Sequence, residues 1–283
     1  MPSNFNHCAD LVRQADRDRY LATLFAPTQH RDALLALYAF NIEISLVRDK
    51  AREPMPGEIR LQWWREVLSG ERAGEAAAHP VAAALTETLL RYGFLVAPLL
   101  ELIDAHTFDL YDEPMATVGE LELYGIQTQS PLFAMAAGIL AEGAALPETF
   151  TLDASVAMAT GKILLDLARH ASRRQIYIPL DVMDRHGVDR EDVFAGEATD
   201  ALRAALGEMR ALVRHHLAQA QLSIQAAPQQ ILSVFLPLAL IGPMLRRMDR
   251  AGYEPFKFEP LPAWRRQWLI WRAARNPARI FAV

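Results

Sequence analysis

Cysteine is nearly missing from this chain of 283 residues: Cys8 stands alone. One thiol makes no intramolecular disulfide and no CxxC metal pair, and its scarcity fits a reducing compartment. Basic charge is not in excess either. Lys and Arg number 29 against 34 Asp and Glu, a net charge of −5, so the overall basic footprint of a nucleic-acid-binding protein is missing and no nucleic-acid partner is expected. Long apolar runs are scarce. The longest, Ile231 to Leu245, holds Pro237 and Pro243. It falls short of the about 20 residues of a spanning helix and predicts a buried helix instead. The opening residues show no basic segment followed by an apolar one, and they read as neither a signal nor a transit peptide. HExxH, Walker, GxGxxG and GxSxG patterns do not occur, which removes the commonest hydrolase and nucleotide-binding signatures. The pair His215-His216 points its rings about 100° apart on a helix, which argues against joint metal binding.

What is present is apolar and helical. Hydrophobic residues make up 52% and charged ones 22%, a balance that argues for a packed core rather than disorder. No segment alternates with period two, whereas Leu34, Leu35, Tyr38, Ile42 and Leu46 recur at three and four. That spacing predicts a helix over 31–50 with one buried stripe, closed by Pro54, Pro56 and Gly57. A second helix is expected over 58–68, a loop over 69–80, and further helices over 81–92, 98–109, 118–141, 152–168, 200–225, 229–251 and 262–275. Ile176 to Pro179 reads as an extended connector. No composition break marks a second domain, so one domain over 1–283 is expected.

Two stretches carry candidate chemistry. In Tyr38-Ala-Phe-Asn-Ile-Glu-Ile-Ser-Leu-Val-Arg-Asp49, Ser45 and Asp49 are four apart and share a helix face with Ile42 and Tyr38. In Ala159-Thr-Gly-Lys-Ile-Leu-Leu-Asp-Leu-Ala-Arg-His-Ala-Ser-Arg-Arg-Gln-Ile-Tyr-Ile-Pro179, Asp166 and His170 are likewise four apart. Arg173, Arg174 and Tyr177 follow at the helix exit. Read from the residues alone, the first is a core helix with a surface aspartate. The second is a helix C-terminus favoured by basic side chains.

Together these stretches resemble the squalene and phytoene synthases. Arg31-Asp-Ala-Leu-Leu-Ala-Leu-Tyr-Ala-Phe40 is similar to the opening of that family. Its first aspartate-rich motif would fall on Ser45, Leu46 and Asp49, and its second on Asp166 and His170, ahead of an arginine-rich turn and Ile176-Tyr-Ile-Pro179. Only Asp49 and Asp166 keep the carboxylate, and Lys162 stands where a neutral ligand belongs. Ala39-Phe-Asn-Ile-Glu43, Glu58-Ile-Arg-Leu-Gln-Trp-Trp64, Thr128-Gln-Ser130, Ser172 to Asp181 and His186-Gly-Val188 resemble one branch in particular. That branch contains the mitochondrial complex I assembly factor with a phytoene-synthase-like domain and its bacterial relatives.

The resemblance implies an all-α bundle of the isoprenoid-synthase type around a central apolar cavity. It implies a prenyl diphosphate or prenyl lipid as ligand, with Tyr38, Ser45, Lys162, His170, Arg173, Arg174 and Tyr177 around it, and Asp49 and Asp166 as the catalytic and Mg²⁺-binding candidates. The family joins two prenyl diphosphates head to head, and magnesium neutralises the leaving diphosphate. With the carboxylates reduced to two, the pattern favours binding over ionisation, and the branch implies support of respiratory complex I assembly. A Mg²⁺-dependent prenyl transferase of isoprenoid biosynthesis is the alternative, and a plain prenyl-lipid carrier a third. A cytoplasmic setting, peripheral to the inner membrane, is expected.

One further stretch stays open in the sequence. Trp264, Trp268 and Trp271 lie on one helical face, and residues 240–283 hold nine basic and three acidic side chains. Such a helix either lies on a membrane surface or packs its tryptophans into the bundle with its arginines in water.

Overall fold

A computed structural model describes residues 3–51, 53–143, 147–225 and 227–282. It is 77% helical, with no strand among the described residues, so the all-α expectation holds. The helices in chain order are α1 (Asn4–Ala15), α2 (Arg17–Thr23), α3 (Thr28–Ser45), α4 (Val47–Lys50), α5 (Pro54–Leu68), α6 (Ala73–Ala78), α7 (Pro80–Tyr92), α8 (Ala97–Thr107), α9 (Val118–Leu140), α10 (Leu152–Leu165), α11 (Leu167–Ser172), α12 (Leu180–His186), α13 (Arg190–Ala195), α14 (Asp200–Ile224), α15 (Ile241–Met248) and α16 (Ala263–Arg275). The chain forms two compact units. One comprises 1–111, 131–148 and 227–237, and the other 112–130, 149–226 and 238–283.

In the first unit α3 is the central helix, packed by α1 and α7. It buries Leu34, Leu37, Phe40 and Ile44 almost completely. Phe40 meets Trp64 of α5 edge to face, with centroids 5.1 Å apart. Trp63 and Trp64 in turn flank His79, with centroids at 5.2 and 5.5 Å. Cys8 is also in this core, and burial pushes its thiol up to about 12, leaving a small inert apolar side chain. The stretch 69–80 is not all loop. It contains α6, whose alanines favour helix, and the Trp63 indole N–H donates to Glu75 at its centre (2.8 Å).

His79 caps α7: its Nδ1 accepts the Ala82 N–H at 3.3 Å. An accepting Nδ1 must be deprotonated, and burial between the two indoles lowers the His79 pKa below 6.5. A base with a depressed folded-state pKa contributes stability that is complete above the unfolded value and falls as pH drops through 6.5 towards the folded value. Acid titration of the melting temperature should therefore show a loss setting in below that point. His79→Asn, which caps without titrating, should remove that component. An unchanged profile in His79→Asn would refute the assignment.

In the second unit α10 packs along α14, and α12 also rests on α14. His216 of α14 ties three helices: its Nδ1 lies 2.7 Å from Asp153 of α10 and its Nε2 3.1 Å from Glu122 of α9. The close approach of α9 to α10 depends on Gly125. A Cβ there would stand 3.2 Å from Ala159 Cβ and 3.2 Å from the Val156 backbone Cα.

The apolar segment predicted as one helix over 229–251 is a 3₁₀ run over Gln229–Leu240 followed by α15. Pro237 lies inside the first part and removes a backbone donor from the α-ladder. By length and composition Gln229–Met248 would cross a membrane, but 78% of its apolar window is buried in the protein, as for a core helix. The tryptophans of α16 do not pack inward. Ile270 and Ala273 are its buried residues, while Trp264, Trp268 and Trp271 are exposed by 69%, 45% and 44%.

Candidate functional site

Both sequence stretches sit at the same local device, a break in an otherwise continuous helix. α3 stops at Ser45, Leu46 adopts φ −93° and ψ 5°, and α4 resumes at Val47. α10 stops at Leu165, Asp166 adopts φ −95° and ψ 9°, and α11 resumes at Leu167. Near-zero ψ lies in the sparsely populated bridge region, where turn and active-site residues collect. The backbone ladder survives across each break, with Leu46 N–H bonding Ile42 C=O at 3.1 Å and Asp166 N–H bonding Lys162 C=O at 2.9 Å.

Within the first unit, the Ser45 hydroxyl bonds back to the Ile42 carbonyl at 3.4 Å, and the break separates it from Asp49. Asp49 is exposed on α4. Tyr38 is buried, with the Arg19 guanidinium 5.3 Å from its ring centroid. Burial is the main cause pushing the Tyr38 phenol up to about 12, with Arg19 opposing it, so the hydroxyl stays protonated near neutrality. Arg19 is buried and paired with Asp16 at 3.3 Å. Asn41 is buried as well, and its Oδ1 has no hydrogen-bond partner among the described residues. Arg19 and Asn41 are polar groups that the sequence reading passed over. Asn41 had a signal, a lone amide between Phe40 and Ile42 in a buried run. Arg19 had none, because its partner ring comes from another helix.

Within the second unit, His170, Gln175 and Tyr177 come together. The His170 and Tyr177 rings are 4.6 Å apart, and Gln175 Nε2 donates to the Tyr177 hydroxyl at 3.2 Å. Tyr124 of α9 stands 5.9 Å from the same ring. Gln175 and Tyr177 are buried and Lys162 is exposed. The Asp166 carboxylate accepts from Arg169 one turn on. The arginine-rich turn is a Schellman cap: Gln175 N–H bonds His170 C=O at 3.0 Å and Arg174 N–H bonds Ala171 C=O at 2.9 Å. Its C′ position, normally glycine, is Arg174 at φ 56°, a strained conformation of the kind kept at functional turns. The Arg174 side chain runs to α13, donating to Glu191 at 2.8 Å and stacking 4.3 Å from the Phe194 centroid. Arg173, one residue earlier, is half-buried.

Each unit holds one of the two candidate carboxylates, Asp49 in the first and Asp166, bonded by Arg169, in the second; a single carboxylate is a thin donor set for a hard cation that takes oxygen ligands. Among the described residues no three His, Cys, Asp or Glu side chains gather as a metal-holding group. The first unit offers a helix break, a buried protonated tyrosine and a buried amide; the second offers a helix break and cations at Lys162 and Arg173 suited to phosphate oxygens.

The family model described as Squalene/phytoene synthase matches residues 12–272. The chain belongs to the squalene/phytoene synthase family. The match crosses both units and includes both helix breaks. Among curated relatives, a protein of Rattus norvegicus named NADH dehydrogenase (ubiquinone) complex I, assembly factor 6 is 27% identical over 90% of this chain and 77% of its own length. A 15-cis-phytoene synthase of Synechocystis sp. is 24% identical over 77% of this chain and 68% of its own. The crystal structure of squalene synthase HpnC from Alicyclobacillus acidocaldarius superposes with a TM-score of 0.77 at 22% identity, covering 89% of this chain and 95% of that one. That likeness establishes the isoprenoid-synthase-type fold for this member of the family.

Proposed function

We propose that this squalene/phytoene synthase family protein binds a prenyl diphosphate or prenyl lipid without condensing it efficiently, and that it supports assembly of respiratory complex I from the cytoplasmic side. One observation carries the reading. At its two matching helix breaks the chain presents one aspartate each, Asp49 and Asp166, with Ser45, Leu46 and His170 at the positions where the family resemblance calls for carboxylates. Ionising a diphosphate requires its charge to be neutralised, which two separate carboxylates support poorly. Holding one requires cations and donors, which Lys162, Arg173 and His170 of the second unit supply. The assembly role is supported by the relatives named complex I assembly factor 6, which match about nine-tenths of this chain. Under this reading Mg²⁺ is not a resident cofactor.

The second reading is a Mg²⁺-dependent prenyl transferase condensing two prenyl diphosphates, with Asp49 and Asp166 as its catalytic and metal-binding candidates. The relatives named 15-cis-phytoene synthase favour it. Deletion of the gene separates the two. On the first reading, NADH-ubiquinone oxidoreductase activity of the membranes falls in the deletion strain. It returns equally with the wild-type gene and with the Asp49→Ala, Asp166→Ala double variant. Full complex I activity in the deletion strain, or rescue by the wild type alone, would overturn the proposal.

A further inference from the structure

A tryptophan is normally the side chain a helix buries first, because it removes up to about 250 Å² of surface from water. α16 does the reverse. It fixes itself to the second unit through Ile270 and Ala273, both fully buried, with Ile280 and Phe281 buried just beyond it. Trp264, Trp268 and Trp271 then fall at i, i+4 and i+7, within an arc of about 60°. Their exposures of 69%, 45% and 44% leave roughly 300–400 Å² of indole surface in water, the size of a functional patch rather than of scattered surface residues.

Along this helix and the residues after it the charge has one sign. Residues 263–282 contain Arg265, Arg266, Arg272, Arg275 and Arg279 and no Asp or Glu, in a protein of net charge −5. Two of these arginines are built into the aromatic face. The Arg272 guanidinium sits 4.7 Å from the Trp268 centroid and that of Arg275 4.5 Å from the Trp271 centroid. Cation–π stacking of this kind places the cation at the level of the ring. A row of amphipathic rings with cations at their own depth matches the boundary of an anionic lipid layer. There, indoles settle among the headgroups and guanidinium groups meet phosphates.

We propose that α16 is a membrane-surface anchor that lies flat on an anionic bilayer through Trp264, Trp268 and Trp271, with Arg272 and Arg275 on lipid phosphates. The bilayer is favoured over a protein partner by the unbroken positive charge of 263–282, since a segment whose charged residues are all arginines brings no carboxylate of its own to pair with a partner's mixed surface. The inference does not depend on whether the protein turns over a prenyl diphosphate. It explains how a chain whose long apolar segment is spent in its own core still meets lipid.

The test uses the full chain with two kinds of vesicle, pure phosphatidylcholine and equal parts phosphatidylcholine and phosphatidylglycerol. The protein should co-sediment with the anionic vesicles only, with a blue shift of tryptophan emission, and should come off as salt is raised. Trp264→Ser, Trp268→Ser, Trp271→Ser combined should abolish binding. Arg272→Gln, Arg275→Gln combined should weaken it about thirty-fold, about five-fold for each arginine. Neither should move the unfolding midpoint appreciably, because Ile270 and Ala273 still hold the helix. Absence of binding to anionic vesicles would overturn the proposal. So would binding that survives the tryptophan substitutions, or a tryptophan-dependent dimer in sedimentation.

Discussion

Phe40→Ala is expected to lower the unfolding free energy by about 3–5 kcal/mol, the cost of truncating a fully enclosed aromatic. Phe40 is 0% exposed and supports Trp64 edge-on at 5.1 Å. Its loss removes transfer energy, leaves a cavity, and forfeits the about 0.5–1.5 kcal/mol specific to an aromatic pair. Set against a total stability of about 5–15 kcal/mol, this is a large fraction, and the melting temperature should fall on the order of 10 °C. Phe40 precedes the break at Leu46 by under two turns of α3, so the variant should also loosen the segment that holds Asp49. Urea unfolding reads the outcome directly as a lower midpoint at unchanged slope. A loss below about 1 kcal/mol would mean that α3 is not the central helix of its unit.

Gly125 offers the contrasting case, where adding atoms is the injury. Gly125→Leu is expected to cost about 3 kcal/mol, the upper range for overpacking. One of the atoms its Cβ would crowd, Val156 Cα at 3.2 Å, belongs to the backbone of α10 and has no rotamer to escape into. Relief requires α10 to move away from α9, against its packing on α14 and the His216 ties to Asp153 and Glu122. Gly125→Ala meets the same contacts with one carbon. It also gains about 0.8–1 kcal/mol of helix propensity, so it should stay within about 1 kcal/mol of the parent. Comparing the two by thermal unfolding isolates the steric cost. Equal stability of the two variants would show that α9 and α10 have room to part. Because α10 carries Lys162 and leads into Asp166, the leucine variant should also lose affinity for a prenyl diphosphate while the alanine variant keeps it.

Periodicity revealed α3 well, because an apolar side chain every third or fourth residue has only one physical reading. It did not reveal the break at Leu46 or at Asp166, since neither has within four residues the proline or glycine that usually marks one. α1 and α2 went unread because their faces are largely polar. Their starts rest on caps, with the Ser3 hydroxyl accepting the Asn6 N–H at 3.2 Å and the Asp16 carboxylate the Arg19 N–H at 3.1 Å. α6 was hidden by Gly70, Gly74 and Pro80, which read as a loop. The α16 tryptophans show a general limit: spacing states that three rings share a face, and only the packing of Ile270 and Ala273 states that the face points outward. Resemblance named the candidate site residues. It could not show that Arg174 would take a left-handed cap and turn its side chain to Glu191 and Phe194, because Phe194 and Glu191 reach it through tertiary structure.

The proposed protein holds prenyl diphosphate without joining two of them. The most direct measurement is incubation of the purified protein with farnesyl or geranylgeranyl diphosphate and Mg²⁺, followed by extraction and mass analysis, with Asp49→Ala and Asp166→Ala alongside. Intact diphosphate and no coupled product are expected from all three proteins. A hydrocarbon of twice the prenyl chain length, made by the parent and lost in both variants, would contradict this and make the protein a working synthase.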